Sequence, residues 1–132
     1  MILGIGVDLL HLARLRNILT RRDPLRLATR ICSQAELVEW DKLRSSKGPS
    51  ERFLALRWAA KEAAYKALYP TLRPTWKDVE IVKVDKKPFL RFSAEAGSSD
   101  LGGGTLSDLK MHLSVSHDAD MMVAYVVAET EG

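Results

Sequence analysis

The stretch Trp58-Ala59-Ala60-Lys61-Glu62-Ala63-Ala64-Tyr65-Lys66 sets a carboxylate and an ammonium, Glu62 and Lys66, one turn apart on an alanine-rich helix. Its small neighbours leave room for a ligand to approach. The spacing alone is also that of a surface ion pair. Asp8, which follows a short β-branched and glycine-containing run, is likewise a natural helix cap. Taken together the two acids allow more. A hard divalent ion accepts carboxylate oxygens and shares its remaining positions with water and phosphate, so one strand-end Asp and one helical Glu suffice for magnesium, with Lys66 placed to hold a phosphate.

Ser114-Val115-Ser116-His117-Asp118 puts two hydroxyls on one side of a strand and an imidazole at its end. Such groups bind phosphate oxygens or satisfy their own turn. No Gly-x-Ser-x-Gly elbow accompanies them, which argues against a serine nucleophile. His11, His112 and Cys32 lack zinc spacing. Gly102-Gly103-Gly104 lacks the Gly-Lys-Ser/Thr ending of a phosphate loop and reads as slack chain.

The elements that must position these groups follow from periodicity. Residues 2–7 read as a strand, with Asp8 where it gives way to a helix carrying Leu12, Leu15, Ile18 and Leu19 on one face and Arg14 and Arg21 on others. Asp23-Pro24 starts a second helix, and Ser33 with Glu36 forms a capping box that opens a third. A loop over 44–50 precedes the longest helix, 51–68, whose apolar face is Phe53, Leu56, Ala60, Ala63 and Ala67; Pro70 and Pro74 end it. Two hairpins are expected next. One joins strands 79–84 and 88–92 through a turn at 85–87, and the other joins 111–116 and 121–128 through a polar turn at 117–120, with a mobile connection over 93–108 between them. Strands without regular βαβ alternation predict an α+β fold, an antiparallel sheet packed with a long helix.

The chain has 132 residues, 46% hydrophobic and 28% charged, as expected of a single globular domain over 1–132. Its one cysteine, Cys32, excludes an internal disulfide and fits a reducing compartment. No apolar run is long enough to cross a bilayer and no secretory signal opens the chain, so an intracellular protein is expected, with no membrane partner. The net charge of +3 is concentrated early, at Arg14, Arg16, Arg21, Arg22, Arg26 and Arg30. That patch favours an acidic partner: a protein surface, a phosphorylated small molecule or nucleic acid.

Three blocks in order, Gly4-Ile5-Gly6-Val7-Asp8, Arg57-Trp58-Ala59-Ala60-Lys61-Glu62-Ala63 and Ser114-Val115-Ser116-His117, resemble the holo-acyl-carrier-protein synthase family of 4′-phosphopantetheinyl transferases. The likeness spans nearly the whole chain, and Ile31-Cys32-Ser33-Gln34-Ala35-Glu36 resembles a further family segment. It implies that Asp8 and Glu62 ligate Mg²⁺, with coenzyme A pyrophosphate oxygens and water completing the shell. Lys66 matches a phosphate-contacting lysine, and His117, with Ser116 beside it, a histidine near the nucleotide. Arg57 and Lys61 are implied as further coenzyme A contacts, and Arg14 and Arg21 as docking positions for the acidic helix of an apo-acyl carrier protein. Asp8, Glu62 and Lys66 would be the catalytic set, the serine proton leaving to Glu62 directly or through water. The short members form homotrimers with each site between neighbouring subunits.

Some positions depart from the pattern. Many bacterial members continue the long helix into a Gly-Thr-Gly loop, where this chain has Leu68-Tyr69-Pro70-Thr71-Leu72-Arg73-Pro74. Lys87 stands where Gly often precedes the hairpin proline, and 98–104 is glycine-rich in place of a helix. These features look closer to the eukaryotic, fungal mitochondrial branch than to typical bacterial enzymes, which implies a mitochondrial matrix location if the source is eukaryotic and a cytoplasmic one otherwise. A basic nucleic-acid-binding module is the alternative from another class; the arginine cluster has little aromatic interleaving and no recognised motif, so no nucleic-acid partner is expected. The same domain within a larger fatty-acid synthase would share the chemistry but not the assembly.

Overall fold

The computed structural model describes residues 1–45, 50–94, 96 and 108–131. Strand β1 (Ile2–His11) leads into α1 (Leu12–Arg21), α2 (Pro24–Ile31), α3 (Gln34–Ser45) and the long α4 (Ser50–Leu68). Strands β2 (Val79–Val84), β3 (Lys87–Phe92), β4 (Leu109–Asp118) and β5 (Met121–Thr130) follow. The α+β class is as expected, but the strands form two antiparallel sheets rather than one: β1-β5-β4 and the hairpin β2-β3.

Local chemistry accounts for the helix starts. Asp23 accepts a hydrogen bond from the Leu25 N–H (3.0 Å) with Pro24 in the first turn, so α2 begins where a cap and a donor-free residue coincide. At α3 the capping box closes in both directions: the Ser33 N–H donates to Glu36 Oε1 (2.9 Å) and the Glu36 N–H donates to Ser33 Oγ (3.3 Å). The start of α1 has no side-chain cap; its Leu12 N–H donates instead to the Asp120 carbonyl (2.8 Å), across the β4–β5 turn.

Both hairpin turns are tighter than the residue pattern suggests. Asp85 and Lys86 have φ of 50° and 69°, the left-handed pair of a two-residue turn whose twist matches the strands, and Lys87 therefore belongs to β3, opposite Val84. In the second hairpin β4 runs on to Asp118, which places His117 in the strand rather than in the turn. Likewise β1 does not stop before Asp8. Pairing with β5 continues to His11 opposite Met121, so Asp8 is an interior strand residue opposite Ala124. The expected loop and connection fall largely on residues 46–49 and 97–107, outside the described residues.

Helix α4 is the centre of the fold. Besides the apolar face legible in the sequence, Leu54, Ala55, Ala59, Ala64 and Leu68 are fully buried, so the helix is enclosed on most sides and is a core element. Alanines let it lie flat on β1 and β5, while Leu15, Ile31, Trp40 and Leu72 fill the space around it. Each such Leu or Ile contributes about 1.5–3 kcal/mol by leaving water. The opposite face of the β1-β5-β4 sheet stays open: Ile5 and Leu9 are 61% and 64% exposed, and Val7 and Tyr125 lie between them in paired register.

Candidate active site

Gly4 and Gly6 determine how β1 meets α4. A Cβ on either would collide with a carbonyl oxygen of the helix, Ala67 for Gly4 and Ala63 for Gly6, so only glycine allows this approach. Side chains alternate along a strand, and Asp8 therefore shares the face of the two glycines and is presented to α4 without intervening bulk. There it meets Lys66, whose ammonium donates to the Val7 carbonyl (2.9 Å) and to Asp8 Oδ1 (3.3 Å). The lysine thus pairs across to β1. Among the described residues Glu62, one turn earlier, makes no hydrogen bond or ion pair.

Electrostatics mark both acids. Burial pushes the Asp8 carboxyl above its ordinary range, opposed by the hydrogen bond and charge of Lys66 and by the charge of Arg14. Glu62 is pushed up by burial and by the neighbouring Asp8 charge, with Lys66 opposing. Two half-desolvated carboxyls that repel each other are a poor arrangement in isolation and a good one around a cation. The donors are hard oxygens only, and no described cluster of three or more His, Cys, Asp or Glu could enclose a metal. This suits Mg²⁺, which takes one or two carboxylates plus phosphate and water, better than zinc, which wants three or four protein ligands. Cys32 is buried, with its thiol pushed up to about 11 chiefly by burial, and is no metal ligand here.

Beside Glu62 lies a cleft of about 360 Å³, walled by Tyr65, Pro74, Thr75, Trp76 and Val79. Lys61 reaches its floor but is not available to a ligand. Its side chain is 1% exposed, and its ammonium donates to Glu36 Oε1 (2.5 Å), the Ile31 carbonyl (2.5 Å) and the Trp76 carbonyl (2.8 Å), which uses every donor an ammonium has. The expectation of a direct coenzyme A contact is corrected for this residue: Lys61 ties the cleft wall to α4. Glu36, legible in the sequence only as a helix cap, is the hub. Its oxygens also accept from the Ser33 N–H and the Ile81 N–H (2.9 Å), and it forms an ion pair with Arg57, whose Nε is 3.3 Å away.

The family model described as the 4′-phosphopantetheinyl transferase superfamily matches residues 4–125. The chain belongs to that family. It is 38% identical over 130 residues to a holo-[acyl-carrier-protein] synthase of Salinispora arenicola, covering 98% of this chain and 99% of that one. Among solved structures, a holo-[acyl-carrier-protein] synthase from Neisseria meningitidis superimposes with a TM-score of 0.77 at 28% identity, covering 98% of this chain and all of that one. One from Bacillus anthracis, in complex with CoA (3′,5′-ADP), gives 0.73 at 30% identity, with 99% of each chain covered.

Within this phosphopantetheinyl transferase the remaining site residues do not converge on Asp8. Arg57 stacks over the Phe53 ring (3.6 Å to its centroid) and opens into a separate groove of about 380 Å³ with Leu43, Arg52 and Lys83. Ser116 pairs with Val123, which pairs with Leu9, and so lies on the open face of the sheet, opposite to Asp8. His117 shares the Asp8 face but stands on β4, two strands away and one row further along. Arg14 and Arg21 are exposed on α1. The arginine patch itself divides: Arg16 is held by Glu51 (2.9 Å) and Asp120 (3.3 Å), whereas Arg22, Arg26 and Arg30 rim a small groove floored by Ile18, Leu19 and Leu27. Tyr65, Trp76 and that α1–α2 groove carried no signal at sequence level beyond residue type.

Proposed function

We propose that the protein is a holo-[acyl-carrier-protein] synthase, transferring 4′-phosphopantetheine from coenzyme A to a serine of an apo-acyl carrier protein and releasing adenosine 3′,5′-bisphosphate. The observation that carries this reading is the pair of mutually repelling, half-buried carboxyls of Asp8 and Glu62 beside Lys66. The serine oxygen attacks the β-phosphorus of coenzyme A, and the bond to the bridging oxygen breaks. Asp8 and Glu62 would hold Mg²⁺, which when bound supplies positive charge to the phosphoryl oxygens. Lys66 adds charge to the same oxygens from the β1 side, where its ammonium is already anchored by the Val7 carbonyl. Glu62, without a protein partner among the described residues, accepts the serine proton.

The active unit is a homotrimer of single-domain chains. Two features support it: the open apolar sheet face around Ile5, Val7, Leu9 and Tyr125, and the placement of Ser116 on that same face, away from its own Asp8. Coenzyme A then lies between subunits, His117 reaching it from the adjacent one, while Arg57, buried against Glu36, supports the site from within the fold. The carrier's acidic helix docks on Arg14 and Arg21 and on the Arg22, Arg26 and Arg30 rim. Coenzyme A and its carriers are intracellular, so the protein works in the cytoplasm or, in a eukaryote, the mitochondrial matrix, supplying holo-carrier for fatty acid biosynthesis. No helix among the described residues is long and apolar enough to cross a membrane.

The test is direct. Incubation with coenzyme A, Mg²⁺ and an apo-carrier should add one phosphopantetheinyl group to the carrier by intact-mass measurement, and no gain across several carriers would overturn the reading.

A further inference from the structure

The C-terminus of α2 is held by two lysines that are distant in sequence and close in space. A helix leaves its last carbonyls without intrahelical donors. Here the Lys77 ammonium donates to the Thr29 carbonyl (2.6 Å) and the Cys32 carbonyl (2.8 Å), and the Lys61 ammonium donates to the Ile31 carbonyl between them (2.5 Å). Both cations also suit the negative end of the helix dipole. The support matters for this element. Of its eight residues Ala28 and Ile31 are buried and the rest are not, and a helix that short does not persist by itself in water.

Lys77 is itself fixed. It lies in a turn over 75–78 in which the Thr75 N–H and hydroxyl both donate to Asp78 Oδ2 (2.7 and 2.9 Å). Just past β3, Ser93 braces that turn: its N–H donates to the Asp78 carbonyl (2.8 Å) and its hydroxyl to the Lys77 carbonyl. Trp76, the residue before Lys77, lines the cleft beside Glu62, and its carbonyl accepts from Lys61 (2.8 Å). The same short turn therefore walls the cleft and grips α2, the helix that carries Arg26 and Arg30 of the carrier-docking rim. Transfer requires the docked serine and the coenzyme A phosphorus to meet in near-attack geometry, and the two partners are held by different elements. Their register is set by what joins α2 to the cleft. Lys61 also pairs with Glu36, so removing it disturbs the core, whereas Lys77 is half-buried and can be changed by itself. We infer that Lys77 is a positioning residue for the transfer, pinning the end of α2 to the cleft wall and so fixing where a docked carrier presents its serine, a role that rests on the transferase reading and the docking surface given with it.

The test is steady-state transfer to an apo-carrier with coenzyme A and Mg²⁺, measured well below the melting midpoint of each variant. Lys77→Met removes the donors and keeps the aliphatic stem. Its kcat should fall about ten- to hundredfold, the cost of misplacing bound reactants by about 1 Å, with the KM for coenzyme A unchanged. Lys77→Arg, whose guanidinium can still donate to both carbonyls, should keep most of the wild-type kcat. A role in stability alone would lower the melting midpoint of Lys77→Met and leave the kcat of the folded protein at the wild-type value. That result would overturn the positioning role, as would a loss carried wholly by the KM for coenzyme A, or a Lys77→Arg as slow as Lys77→Met. Should Lys77→Met fail to fold, Lys77→Gln, whose shorter amide can donate to one carbonyl but not both, is measured in its place and read in the same way. A wild type that modifies no carrier overturns the transferase reading and the positioning role with it; an active wild type beside an equally active Lys77→Met overturns the positioning role only.

Discussion

Two charged clusters flank α4, and they are built on opposite terms. Around Glu36, one carboxylate is shared by Lys61, Arg57 and two backbone N–H groups, and the three side chains are almost wholly buried. Around Glu62, one residue along from Lys61, a carboxyl lacks a described partner and another carboxyl is its neighbour. In the first cluster each charge has an opposite charge beside it, and the cluster so holds the fold. The second is left unsatisfied, and its remaining interactions await a ligand.

The contrast can be broken most severely at Glu36. Glu36→Ala strands Lys61 and Arg57 as buried charges, and urea unfolding should show a loss of about 3–5 kcal/mol. Glu36→Leu combined with Lys61→Met should recover little of that loss, because Arg57 stays buried without this carboxylate and the Ser33 and Ile81 N–H groups stay without their acceptor. Full recovery in the double variant would mean that the Lys61–Glu36 pair alone carries the effect.

At the other cluster the signs should reverse. Glu62→Gln and Asp8→Asn should lower kcat/KM by about 10²–10³-fold while leaving the metal-free melting midpoint unchanged or raised. A variant that retains transfer would lose its proposed metal role. A somewhat smaller effect is expected from Mg²⁺ itself: at hundredfold excess over its Kd it should raise the wild-type midpoint by roughly 5–10 °C, and should not do so for Glu62→Gln.

The smallest effect concerns pH. Burial holds the Asp8 and Glu62 carboxyls above their ordinary values, so between the ordinary and the raised pKa the native metal-free protein binds more protons than the unfolded chain. Stability without Mg²⁺ should therefore fall as pH rises through that window, and Glu62→Gln should flatten the slope. A rising slope in urea midpoints would contradict the electrostatics assigned to this cluster.

Much of the site was readable because its spacing is local. A strand period of two carries Gly4, Gly6 and Asp8 onto one face, and a helical turn carries Glu62 and Lys66 onto one side of α4. The two helix caps, at Asp23 and Ser33, were equally local. What was misjudged depended on distant partners. Pairing with β5 extended β1 beyond Asp8, and the same pairing placed His117 in a strand. Only one apolar face of the long helix was legible, because a single pattern does not reveal that structure surrounds it on several sides.

Sequence alone determined which side chains would share a face, since that follows from backbone periodicity. Only the tertiary structure decided their partners. Lys61 and Lys66 are chemically the same residue on the same helix, yet one ends inside a cage of three acceptors and the other beside Asp8 at the surface. Coulomb attraction has no sequence address, and the pairing was made by whichever acids the packing of α3 and β1 against α4 brought near.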